Sequence, residues 1–148
     1  LSDFGPAENM SLIEADIPTP GSGQIVVKNN AIGLNYLDTY FRSGLYPWPN
    51  NNDIKIPGSE GVGYIHAVGS DVLDFKEGDR VSYVTPVGAY AEYAIINAAH
   101  AAKINVEVED HDVVACTLKG LTTHYLLHLT TKVTPGMTTL VHAAAGLQ

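Results

Sequence analysis

The sequence predicts a mainly β fold, a barrel or a sandwich, with helices gathered in its last third. Three observations carry this reading. Val62, Tyr64, His66 and Val68 alternate with Gly63, Ile65 and Ala67, the period of a strand. Glycine or proline turns interrupt the apolar runs at short intervals up to about residue 96. Beyond residue 105 the apolar period becomes helical.

In chain order, residues 1–23 hold Gly5-Pro6, Pro18, Pro20, Gly21 and Gly23 around one alternating piece, residues 11–15, which is expected to form a lone strand. A β-branched run over residues 24–28 is the next strand and ends in Asn29-Asn30. It feeds residues 30–47, N-A-I-G-L-N-Y-L-D-T-Y-F-R-S-G-L-Y-P, which concentrate Asn35, Asp38, Arg42, Tyr36, Tyr40 and Tyr46 between Gly33 and Gly44. Polar and aromatic groups carried on a turn beside a rigid strand suit binding. They equally suit a short helical turn with ordinary surface tyrosines. Residues 46–57, rich in Pro and Asn, form a loop. Strands follow over residues 62–68, 80–85 and 89–96, separated by Gly69-Ser70-Asp71, Lys76-Glu77-Gly78-Asp79 and Pro86-Val87-Gly88.

In the last third, Leu118, Leu121, Tyr125, Leu126 and Leu129 line one helical face. Asp110 and Asp112 sit where carboxylates favour a helix N-terminus. Pro135-Gly136 then turns into an expected final strand, residues 138–143, running to Gly146.

At 148 residues the chain is sized for one compact domain, and 45% hydrophobic with 16% charged residues fits an ordered globular protein. A net charge of -8 argues against nucleic acid and anionic membranes as partners. No apolar run is long enough to span a bilayer and no signal-peptide pattern opens the chain. With Cys116 alone there is no disulfide framework, so a reducing cytoplasm is the expected location. Cys116 lies among Val113, Val114, Ala115 and Leu118 and is expected to be a small buried hydrophobe.

Candidate motifs differ in weight. Gly58, Gly61 and Gly63 open a strand where a phosphate-binding loop would open a helix, so close strand packing explains them better. His124 and His128 stand one helical turn apart, yet a zinc site needs three or four ligands. Lys119-Gly120-Leu121-Thr122-Thr123, read as a helix start, could hold a phosphate through charge and helix dipole, or could be a solvated cap. T-T-L-V-H-A-A-A-G at residues 138–146 has the form of a first dinucleotide-binding strand entering its glycine turn.

Together the blocks I-G-L-N-Y-L-D-T-Y, R-S-G-L-Y-P, P-G-S-E-G-V-G, F-K-E-G-D-R-V, G-A-Y-A-E-Y, L-K-G-L-T and V-H-A-A-A-G resemble the zinc-free quinone oxidoreductases of the medium-chain dehydrogenase/reductase superfamily. The resemblance implies a GroES-like, partly open β-barrel substrate domain over residues 1–105. It implies a helical connection over 106–137 and the first strand of an incomplete Rossmann domain over 138–148. It implies NADPH as cofactor and a quinone as substrate. Asn35 and Tyr46 are implied at the reacting rings, and Asn35, Asp38, Tyr46, Lys119, Thr122 and Gly146 on the cofactor cleft. Zinc-dependent relatives carry Cys and His where this chain has Asn35 and Ser59, which are poor zinc ligands, so no metal is expected. Leu147 stands where the family has its next glycine, so the chain alone is expected to bind NADPH poorly. An unpaired final strand invites self-association, so a homo-oligomer is among the expected states. Two other functions fit the same residues: a non-catalytic GroES-like binding or assembly module, and a zinc-free enoyl reductase.

Overall fold

The computed structural model describes Leu1 and residues 3–50 and 54–142. Strand β1 (Gln24–Ile32) leads to helix α1 (Tyr36–Ser43), and β2 (Glu60–Val68), β3 (Arg80–Val84), β4 (Tyr93–Asn97) and β5 (Ala101–Lys103) follow. Helix α2 (Asp110–His124) then runs into one π-helical turn, Tyr125–Thr130. The strands form a five-stranded antiparallel sheet in the order β4-β1-β2-β3-β5. It is a partly open barrel, as predicted, with β4 and β5 as its edges.

Between β1 and β2 the pairing slips at Val26/Val27 and again at Asn29/Ala31. Each bulge bends the strand and adds twist, which curls a flat sheet toward a barrel. The concave face buries Ile25, Val27, Ile65, Val81, Tyr83, Ala89, Ala94 and Ile96. Gly61 and Gly63 face Tyr83 and Val81 across the ladder, so the glycines of β2 point inward. A Cβ at Gly61 would strike the Tyr83 phenol, and one at Gly63 would strike the Lys28 carbonyl. The glycines therefore serve strand approach and leave room for Tyr83, whose hydroxyl donates to Asn29 Oδ1 at 2.8 Å. Burial pushes that phenol's pKa far up, so it stays a donor.

Residues of opposite parity on β2, Glu60 and Val62, face the other way, where α2 packs across β1, β2 and β3. Arg80 fixes the start of α2. Its guanidinium bonds Asp110 Oδ1 through Nε (2.9 Å) and Nη2 (2.6 Å) and also donates to the Val106 and Val108 carbonyls.

Four expectations are corrected. Residues 11–15 form no strand, because an alternating segment with no ladder partner gains nothing from extension. Thr138 to His142 likewise carry no strand and pair with nothing among the described residues, while Ala143 and Gly146 lie outside those residues. Cys116 is exposed, because Val114 and not Cys116 lies on the buried line of α2. Finally, Lys119 to Thr123 lie within α2 and not at its start, which is set by Glu109 and Asp110. Thr122 and Thr123 donate their hydroxyls to the Leu118 and Lys119 carbonyls, so the proposed dipole cradle for phosphate is not formed. Leu121, Tyr125, Leu126 and Leu129 are helical as expected but stay exposed, and the helix widens to a π-helical turn from Tyr125. No helix among the described residues is long and apolar enough to cross a membrane.

Three aspartates tie turns and elements together. Ser22 and the Gly23 N–H hold Asp71 below the ordinary value of 3.8. Lys103 and the Lys76 N–H do the same for Asp79. Burial opposes ionisation of Asp110, but Asn30 and Arg80 outweigh it and hold that carboxyl low as well. A depressed carboxyl adds stability that is complete above its unfolded value and is lost as pH falls through the folded one. The urea midpoint is therefore expected to be level from pH 7 to about 5 and to fall below about pH 4. Asp110→Asn is expected to lower stability at pH 7 and flatten that acid limb; an acid limb as steep as that of the unsubstituted chain would contradict the assignment.

Candidate active site

The site grows from a carboxylate buried at the start of β2. Glu60 has no solvent exposure, and a buried charge persists only with partners that replace water. Its Oε1 accepts from Asn35 Nδ2 and from Lys119 Nζ, both at 2.8 Å, and its Oε2 accepts from the Leu118 N–H at 2.8 Å. One side chain thus joins the loop before α1, strand β2 and helix α2. Gly33 makes the space, since a Cβ there would collide with the Glu60 carboxylate.

A second buried carboxylate adjoins it. Asp38, in the first turn of α1, accepts from the Asn35 N–H (2.9 Å), the Ser59 hydroxyl (2.7 Å) and the Tyr90 hydroxyl (2.9 Å). The bond to Asn35 is one arm of a capping box that fixes where α1 begins. Gly44 closes the helix in the left-handed conformation, φ 78°. Burial, reinforced by the hydrogen bond to Asp38, pushes the Tyr90 phenol far up, so Tyr90 donates throughout the working pH range. Tyr90 packs against Gly58, whose φ of 98° and lack of a side chain admit the ring.

Asn35, Asp38 and Lys119 are therefore brought into one network. Tyr46 is not bonded into it. Its ring packs against Tyr40 and edge-on to Phe41, with centroids at 5.4 and 5.8 Å, and it is 44% exposed. Thr122 lies one turn beyond Lys119 on α2 and is exposed. Gly146 lies outside the described residues. Beside the network a shallow cleft of about 220 Å³ is lined by Leu37, Ser59, Val84, Thr85, Pro86, His100 and Leu118. Its wall is mainly apolar, with the Ser59 hydroxyl and the His100 imidazole as polar points.

Sequence reasoning missed Glu60 and Tyr90, and took Gly33 only as a bracket of the central segment. The signal for Glu60 was present: a lone carboxylate at the head of a glycine-rich strand in P-G-S-E-G-V-G. No partner could be named for it, because Lys119 is 59 residues away. His124 and His128 do come together, with ring centroids 4.8 Å apart, but no group of three or more His, Cys, Asp or Glu converges among the described residues.

The donor chemistry tests whether a metal ion could sit here. Asn35 turns its NH2 toward Glu60, Ser59 turns its proton toward Asp38, and an ammonium already sits on Glu60. Protons, not lone pairs, face the two carboxylates, so this arrangement does not fit a metal ion.

The open five-stranded antiparallel barrel is the fold of a GroES-like domain, and α2, which crosses the polar node, follows it in the chain. Residues 21–106 match the family of alcohol dehydrogenase GroES-like domains, and the chain belongs to that family. It is 45% identical to the quinone oxidoreductase of Pseudomonas aeruginosa, over 97% of this chain and 41% of the relative. It is 38% identical to the 2-haloacrylate reductase of a Burkholderia species, over 96% of this chain and 43% of that protein. The structure superposes on Escherichia coli quinone oxidoreductase complexed with NADPH with a TM-score of 0.84 and 38% identity, over 90% of this chain and 41% of the other. The chain spans about two-fifths of the length of these relatives.

Substitution at two glycines separates the node from the rest of the fold. Gly33→Ala is expected to destabilise by about 1–3 kcal/mol, the usual cost of overpacking, because Glu60 has nowhere to go. Gly120→Ala, where a Cβ meets nothing, is expected to stabilise by up to about 1 kcal/mol through helix propensity. Denaturant unfolding measures both; equal and small effects would show that Glu60 is free to move.

Proposed function

We propose that the chain provides the substrate side of an NADPH-dependent quinone oxidoreductase that works without zinc in the cytoplasm. In this reading residues 1–105 are the substrate domain, 106–137 a helical connection and 138–148 the opening of the cofactor-binding domain. One observation carries it: a rigid polar node, holding Asn35 and Lys119 on Glu60, adjoins an apolar cleft sized for a small ring. The names of the related proteins support the reaction class.

NADPH, when bound, supplies the hydride, so the protein's task is orientation and electrostatics. Gly120 offers a place for a flat ring to approach α2, since a Cβ there would enter open space. Lys119 and Thr122, one turn apart on the same side of α2, would hold the nicotinamide side, with Asp38 fixing the loop that carries Asn35; Gly146 would serve the pyrophosphate. Asn35 and Tyr46 would orient the two rings, and the Tyr46 phenol would donate to the substrate oxygen. The apolar wall of Leu37, Val84 and Leu118 keeps water from the opposite face of the substrate. A second reading, reduction of a conjugated alkene, is favoured by the likeness to 2-haloacrylate reductase.

The test is chemical-shift mapping of the 15N-labelled chain with three probes. The first is tetramethyl-1,4-benzoquinone, whose blocked ring carbons do not add the exposed Cys116 thiol; nicotinamide mononucleotide and 2-chloroacrylate are the others. Expected are quinone shifts at Leu37, Ser59, Val84 and Leu118, and nicotinamide shifts at Lys119, Gly120 and Thr122. Stronger shifts at those cleft residues with 2-chloroacrylate would favour the second reading. Shifts confined to residues other than those named, or none, would contradict both.

A further inference from the structure

We propose that the Lys119 ammonium is the site's own cation: clamped on Glu60, it supplies a fixed positive charge beside the cleft and keeps metal ions out. The reading above names the site, but the clamp stands on its own geometry and its test uses neither quinone nor cofactor. Glu60 is the buried oxygen donor a cation would seek here, and three of the roughly four lone-pair sites of its carboxylate are already taken. Asn35 Nδ2 and Lys119 Nζ share Oε1, and the Leu118 N–H holds Oε2. A divalent ion would have to displace an ammonium from a contact of 2.8 Å. It would also meet N–H hydrogens where lone pairs are required. Ammonium and metal would also repel each other across this contact, with solvent screening part of the repulsion because Lys119 is partly exposed.

The clamp also explains why the charge remains usable. The Lys119 side chain is 26% exposed while Glu60 is wholly buried, so the pair is anchored at one end and open at the other. Lys119 carries three N–H donors and one of them points at Glu60. The remaining donors have no partner among the described residues and are available to a carbonyl oxygen or an anion arriving at this face of α2. Adjoining Asp38 is satisfied by Asn35, Ser59 and Tyr90, so it does not draw the ammonium away.

Two measurements test this. The first installs metal ligands with and without the ammonium. In Asn35→Cys/Ser59→His, the new thiolate and imidazole stand with Glu60, and cobalt(II) absorption reports tetrahedral binding. The double variant is expected to bind cobalt at least tenfold more weakly than the same variant carrying Lys119→Ala as well. Equal affinity, or no binding by either folded variant, would overturn the proposal. The second uses the unsubstituted chain, where competition with acetic anhydride is read residue by residue by mass spectrometry. Lys119 is expected to react at least tenfold more slowly than exposed Lys76 and to speed up in Glu60→Gln. Equal rates for Lys119 and Lys76 would overturn the clamp. A failure of quinone binding would touch neither result.

Discussion

Everything that positions this site follows from burying one carboxylate. Glu60 has lost all contact with water, so the chain must supply from protein groups what hydration supplied before. It does so from three separate places: an amide before α1, a backbone N–H on α2 and an ammonium on α2. Those three demands fix the approach of the helix to the sheet more narrowly than apolar contact does. Val114 is the one buried residue of α2, so little hydrophobic burial holds this helix, and polar contacts at its start and middle do most of the locating. Arg80 and Asp110 secure the first of these points, and Lys119 and Leu118 the second.

The same economy shows in the glycines. Strand β2 presents glycine to the concave face at Gly61 and Gly63 and a carboxylate to the other at Glu60. Small residues inside let Tyr83 lie across the sheet and let β1 come close. Gly33 and Gly58 then make room for Glu60 and Tyr90 on the polar side. A barrel whose interior and exterior are both crowded near one strand end is rigid there, which is the requirement for holding two reactant rings in register.

Much of this was legible in the sequence. Alternation located β2, and turn residues marked off β3 and β4, because both signals are local; β4 begins at Tyr93 and not at residue 89, and the three-residue β5 was not foreseen. The extent of β1 was underestimated, since its last residues extend only by pairing across a bulge with β2. Residues 11–15 carried a strand pattern and no ladder partner, and pattern cannot reveal the absence of a partner. The stripe at Leu121, Tyr125, Leu126 and Leu129 rested on a 3.6-residue period that gives way to a π-helical turn at Tyr125, and period says nothing about what covers it. At the site, Asn35 and Lys119 were found through their motifs. The residue that unites them was passed over, because a glutamate beside glycine looks like surface until its partner 59 residues later is known.

The central claim is that Glu60 and Lys119 act as a coupled pair that organises the site, and a double-mutant cycle measures this most directly. Unfolding free energies of the unsubstituted chain, Glu60→Gln, Lys119→Met and the double variant give the coupling. Because Lys119 is partly exposed, the expected coupling is moderate, but it should exceed the roughly 0–1 kcal/mol of surface pairs. Each single variant should be more damaging than the double, since each leaves a group without its partner. Additivity within about 0.5 kcal/mol would contradict the account and reduce the pair to an incidental contact.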